Sequence, residues 1–136
     1  MPIQYRIYYQ HRIVVARGRG VFATADIFGY QREVWSRPDV AGFNELVDMT
    51  EVSEIATASP DRMRELASLS AGMDRVEAGT KMAIVAPQDH AFGLARMYEA
   101  YRSFEPASKK EVAVFRTIGE ALAFLGLGGA ALESVD

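Results

Sequence analysis

The 136-residue chain contains no cysteine. That excludes disulfides, a thiolate nucleophile and any cysteine-bound metal, and it fits a reducing compartment. Only two histidines occur, His11 and His90. Neither opens an H-x-x-x-H or H-x-x-E pattern, so a metal centre would have to be built from carboxylates, and no metal or cofactor is expected. Basic residues are not in excess: 15 Lys and Arg stand against 18 Asp and Glu, a net charge of −3. Non-specific nucleic-acid binding needs concentrated positive charge and is not expected. No apolar run approaches the roughly 18 residues of a membrane span. The first ten residues, MPIQYRIYYQ, alternate and lack the apolar core of a signal peptide. Repeats, low-complexity blocks and domain linkers are also missing. These absences point to a soluble, cytoplasmic protein of one domain.

What is present is an alternation of strands and helices. Ile3, Tyr5, Ile7 and Tyr9 recur with period two and read as an edge strand. Gln10-His11-Arg12 makes a tight turn into residues 13–16, IVVA, giving an antiparallel hairpin. Thr24 is expected to cap a helix that ends before Pro38. Residues 45–49 form a third strand. Ser59-Pro60 then announces a helix carrying Met63, Leu66, Ala67 and Ser70 on one side. Residues 81–86, KMAIVA, are a fourth strand, and Asp89 is expected to cap a long helix with Phe92, Leu94, Ala95, Met97, Tyr98 and Tyr101 on its apolar stripe. Arg96 and Arg102 are spaced away from that stripe and are expected in solvent. Residues 112–115 are the last strand, and Thr117 caps a final helix stopped by Gly126. The fold class is α/β: a five-stranded mixed, mostly parallel sheet with an antiparallel N-terminal edge strand and about four helices. Residues 1–127 are one domain and residues 128–136 a short tail.

Four groups of residues could carry function. Gly18 and Gly20 fit G-x-G-x-x-G/A after a strand, with Asp48 closing the next strand, so a nucleotide site is one alternative. The capping signal falls after the glycines, however, and favours a turn role for them. Asp89-His90 follows a strand and could supply an acid and a base; with Asp48 they define a small-enzyme alternative. The segment from Thr50 to Ser59 reads as a polar loop with hydroxyls at Thr50, Ser53, Thr57 and Ser59. It lacks the elbow of a serine nucleophile but could accept phosphate. The aromatic and methionine residues Phe22, Phe28, Trp35, Phe92, Met97, Tyr98 and Tyr101 read as core, or as the lining of a small apolar pocket.

The strand LVDM, the helix after Ser59, the strand KMAIVA, FGLARMYEAY and the closing VAVFRTIGEALAFLGL resemble the SpoIIAA-like, STAS-type domains related to bacterial anti-sigma-factor antagonists. The similarity runs from about Tyr5 to Leu127. It implies a regulatory or ligand-binding module without catalytic machinery. In those antagonists an Asp-Ser pair starts the helix after the third strand, and the serine is phosphorylated. Aligned on LVDM the pair falls at Ala56-Thr57, which keeps a hydroxyl and loses the acid; the chain looks like an uncharacterised single-domain branch.

The expected function is therefore non-enzymatic binding of a protein partner or a small apolar or anionic ligand. The candidate binding residues are Asp48, Thr50, Thr57, Ser59, Asp89 and His90, gathered in one patch, with Thr57 and Ser59 as candidate phosphoacceptors. A homodimer could form through the last helix and LGLGGAAL.

Overall fold

The computed structural model describes residues 3–74 and 79–128. Its strands are β1 (Ile3–Tyr8), β2 (Ile13–Ala23), β3 (Asn44–Ala56), β4 (Lys81–Val85) and β5 (Glu111–Phe115); its helices are α1 (Thr24–Trp35), α2 (Pro60–Gly72), α3 (Asp89–Ser103) and α4 (Ile118–Leu125). The strands form one sheet in the order β1-β2-β3-β4-β5. β1 runs antiparallel to β2, and the other neighbours are parallel. That is the architecture the alternating pattern implies.

Alternate residues divide the sheet into two faces. Val14 and Ala16 of β2 and Met82 and Ile84 of β4 join the main core under α1, α2 and α3. Ile13, Val15, Leu46, Ala83 and Val85 point the other way and are covered by Ala121 and Leu125 of α4. Three crossovers to successive parallel strands put three helices on one face; only α4, after the last strand, reaches the second.

The main difference from expectation lies in β2 and β3. Both are far longer than the runs IVVA and ELVDM, and pairing continues to Ala23 and Ala56. Residues 50–56, expected as a loop, are strand, and the connection to α2 is only residues 57–59. The register slips between Arg17 and Arg19 and again between Gly20 and Val21. Such irregularities break strict alternation and increase twist, which is why Val52 and Ile55, three apart, are both buried. β4 ends beside Asp48, so β2 and β3 run on beyond it as a two-stranded ribbon. Phe22 of this ribbon lies over Gly18: a Cβ there would stand 2.9 Å from the Phe22 ring and from a Val52 methyl.

The helix starts shift by one residue in two cases. The cap of α1 is Ala23, whose N–H donates to the Asp26 carboxylate at 2.9 Å, and Thr24 is already helical. The cap of α3 is Gln88 rather than Asp89. Ser59 and Thr117 cap as expected, accepting from the N–H groups of Arg62 and Glu120. Gly126 ends α4 in the left-handed conformation, φ 75°, where glycine bears no Cβ penalty.

Candidate functional site

The structure splits the expected patch. Asp48 is in the middle of β3 on the α4 face, accepting from the backbone N–H of Thr50 at 3.0 Å and lying 3.9 Å from Arg17. Thr57 is nine residues farther along, about 30 Å at strand rise. Its hydroxyl meets the Thr24 N–H at 3.3 Å and the Thr24 hydroxyl at 3.0 Å. Arg62 closes this corner, donating from Nε to the Thr24 hydroxyl and lying over the Phe28 ring. Ser59 is committed to the α2 cap.

Asp89 is exposed and paired with Arg116 at 2.6 Å. His90 is exposed in the first turn of α3. Gly18 and Gly20 lie within β2, four or more residues before α1 begins, so no helix N-terminus opens on them. Among the described residues no cluster of His, Asp or Glu could hold a metal, and no helix is long and apolar enough to cross a membrane.

A different site emerges inside the main core. Between the sheet and the three helices lies a cavity of about 90 Å³. Its floor is Ile3, Ala16, Gly18, Val47, Met49, Met82 and Ile84. Ile27, Tyr30 and Gln31 of α1 form one wall, Leu94, Ala95 and Tyr98 of α3 the other, and Met63 and Leu66 of α2 the roof. Phe22 and Ile55 of the ribbon close one end. Ile27, Val47 and Leu94 stay only partly buried, so the helices do not seal the central strand. Three of the lining residues are methionines, whose flexible side chains adapt to irregular contents.

The polar groups that line the cavity have partners within the protein: Tyr30 and Glu45 bond each other, Tyr98 bonds Ser70, and the Gln31 amide donates to the Met73 sulfur at 3.4 Å. Glu45 is 3% exposed. It accepts from the Tyr30 hydroxyl at 2.8 Å and from the Trp35 indole N–H at 3.2 Å, and its second oxygen faces the Lys110 ammonium at 3.4 Å. Lys110 also sits 3.2 Å from the centre of the Trp35 ring, a desolvated cation–π contact. Burial lowers the Lys110 pKa, partly offset by the Glu45 charge. Burial raises Tyr30 well above its usual range, reinforced by the Glu45 carboxylate. Burial likewise pushes Tyr98 up to about 12. Its hydroxyl pairs with that of Ser70 at 2.7 Å, so both phenols are neutral at physiological pH.

Arg102, expected in solvent, is 2% exposed and pairs with Asp74 at 3.2 Å. Asp74 also accepts the backbone N–H groups of Lys109 and Lys110, tying the end of α2 to the approach to β5. Of the aromatic and methionine residues considered for a pocket, Phe22 and Tyr98 line the cavity. Phe28 and Trp35 belong to the core around it, and Phe92 and Tyr101 pack against that core. Glu45 and Lys110 carried a faint sequence signal, as charges flanking apolar strands. Nothing local said that they would meet across 65 positions.

An uncharacterized protein of the DUF3478 family with a SpoIIAA-like fold, from Shewanella loihica PV-4, superposes with a TM-score of 0.56 over 90% of this chain and 93% of that one, at 16% identity. The chain has a SpoIIAA-like fold. At that identity the likeness extends to the fold alone. No family model matches the sequence, and no curated protein does. The SpoIIAA-like sheet explains the site's position: its floor is the helix-bearing face of β1 to β4.

Proposed function

We propose that this chain is a non-enzymatic, STAS-like binding module that takes a small, uncharged apolar ligand in the cavity beneath α2. The observation that carries the reading is the open floor: Val47, on the middle strand of five, is incompletely covered although apolar residues surround it. A cavity with few polar groups, each with a hydrogen-bond partner in the protein, rewards apolar surface and penalises a ligand charge. At about 90 Å³ it is smaller than an engineered 150 Å³ cavity that binds benzene. The ligand is therefore a small hydrocarbon group, or the end of a larger molecule that displaces α2.

Catalysis is not supported by the positions of the candidate acids and bases. Asp48 and Asp89 are each held near an arginine, and His90 lies on the surface. Thr57, exposed beside Thr24 and Arg62, remains the residue through which phosphorylation would act on the start of α2.

The test uses xenon, an apolar probe smaller than benzene, with methionine methyl NMR as the readout. Xenon should shift the methyls of Met49, Met63 and Met82, which line the cavity, while leaving Met97 in place. Ala95→Phe, which fills the cavity, should abolish the effect. Uniform shifts, or none at saturation, would refute the reading. Native mass spectrometry of protein from its own cells would then identify a retained ligand, or a phosphate on Thr57.

A further inference from the structure

A second opening lies at the other end of the sheet from Thr57, where β2, β3 and β4 begin. It is an open crevice of about 410 Å³, bounded by the β1–β2 turn, the loop before β3 and the residues before β4. Four polar side chains line it: His11 and Arg12 from the turn, Asn44 from the first position of β3, and Thr80 from the approach to β4. Alanine and glycine make up the rest, so no acid is among the described lining residues. The neighbouring carboxylates are placed elsewhere. Glu45 is buried in the main core. Asp39 is held by Arg37 at 2.8 Å and by Tyr9 at 2.7 Å. Glu111, whose backbone N–H donates to the Thr80 carbonyl, does not line the crevice.

Arg12 is fixed by its backbone rather than by an ion pair. Its carbonyl accepts from the Asn44 N–H at 2.9 Å, and its own N–H donates to the Tyr9 carbonyl at 3.3 Å. Its φ is 53°, in the left-handed region where glycine or asparagine would sit with less strain. The guanidinium lies 4.9 Å from the centre of the Phe43 ring. It also rests against the Gly42 backbone, where an added Cβ would stand 3.3 Å from Nη2. Stacking on a ring occupies the face of a guanidinium and leaves the N–H donors at its edge. Among the described residues no carboxylate or carbonyl takes those donors. Asn44 spends its Oδ1 on the Lys81 N–H at 2.8 Å. Its Nδ2 group, like the His11 ring and the Thr80 hydroxyl, has no hydrogen-bond partner among the described residues.

We propose that this crevice binds a phosphate group, with Arg12 supplying the charge and His11, Asn44 and Thr80 the surrounding donors. A carboxylate is satisfied by one edge of a guanidinium. Donors from three separate segments suit the several acceptor oxygens of a tetrahedral anion better. The volume admits free phosphate or the phosphate end of a small monoester. The site is separate from the apolar cavity and does not depend on what the cavity takes.

Two probes distinguish the sources: inorganic phosphate and glycerol 3-phosphate, each titrated at constant ionic strength against the amide NMR signals. Both should move the signals of Arg12, Gly42, Asn44 and Thr80 saturably, and the probe that saturates at the lower concentration names the source. Chloride and acetate should leave those signals in place. Arg12→Gln should weaken binding about tenfold or more, the value of a hydrogen bond to a charged group. Thr80→Val lies outside the turn and should weaken it several-fold. Arg64→Gln, on the exposed side of α2, should change nothing. No shift, shifts scattered over the surface, or an equal response to acetate would overturn the proposal. So would an affinity that survives both Arg12→Gln and Thr80→Val, or one that falls as much with Arg64→Gln.

Discussion

Lys110→Met should destabilise the protein by about 3–5 kcal/mol, the usual cost of removing one member of a buried ion pair. The side chains of Lys110 and Glu45 are 8% and 4% exposed. Methionine preserves most of the apolar stem that rests on Trp35, so packing changes little. What disappears is the cation 3.4 Å from the Glu45 carboxylate, which is left with neutral donors alone. Glu45→Gln should cost a similar amount, because it strands the ammonium over the indole. The double variant removes both charges, and glutamine can still accept from Tyr30 and Trp35. Its loss should be at least about 2 kcal/mol smaller than the sum of the single losses. Urea unfolding followed by fluorescence suits the measurement, since Trp35 is the only tryptophan and touches both partners. Additivity within about 0.5 kcal/mol would refute the coupling.

The same pair has a pH signature. Burial holds the Lys110 pKa below its ordinary 10.5. Between the folded pKa and 10.5 the unfolded chain binds more protons than the native one, so stability contributed by this site rises with pH across that window. A wild-type curve that parallels Lys110→Met up to the onset of tyrosine ionisation would contradict the assignment.

Alkaline unfolding should be governed by the buried phenols. Tyr98 is raised to about 12 from 10.0, so its contribution is complete below pH 10 and lost as pH climbs to 12, about 2.7 kcal/mol over two units. Tyrosinate absorbance should therefore lag for Tyr98 until the fold melts by circular dichroism; all six tyrosines ionising near pH 10 in a folded chain would contradict this. At the end of β3, Thr57 holds φ at 63°, a left-handed conformation that costs a β-branched residue about 1–2 kcal/mol. Thr57→Val keeps that strain and loses the bonds to Thr24, whereas Thr57→Gly loses the bonds but relieves the strain. The valine variant should melt at the lower temperature, and the reverse order would show that the backbone there is not strained.

Much of the fold could be read from the chain. Period-two alternation in residues 3–9, the compact KMAIVA run and the Ser59-Pro60 and Thr117 helix starts each declare themselves locally. The far halves of β2 and β3 could not be read this way. Their apolar residues, Phe22, Val52 and Ile55, are spaced by slips in register, and only pairing between distant segments shows them to be strand. The candidate site suffered from the same blind spot. Once residues 50–56 become strand, Asp48 and Thr57 separate, and the expected patch dissolves. Arg102 illustrates the converse: its helical position looks solvent-facing, but Asp74, 28 positions earlier, draws it inside.

The cavity follows from where the helices sit rather than from any one residue. Five strands at about 4.8 Å spacing span about 19 Å. Three helices about 8–10 Å apart would just span that width, so a space opens only where one of them stands off the strands. The chain places α1 over β1 and β2 and α3 over β3 to β5, while α2 packs chiefly on α3 and stands farther from the strands. A space must remain beneath α2 unless large side chains fill it. At the floor this sequence uses Ala16 and Gly18, and at the wall Ala95. Enlarging Gly18 is blocked by Phe22 and Val52, so the opening is maintained by the ribbon that the sequence concealed. A SpoIIAA-like sheet carrying three helices on one face creates the space; the side chains around it decide whether it is core or binding site. In this chain small residues and methionines meet there, and the proposed apolar ligand rests on that lining.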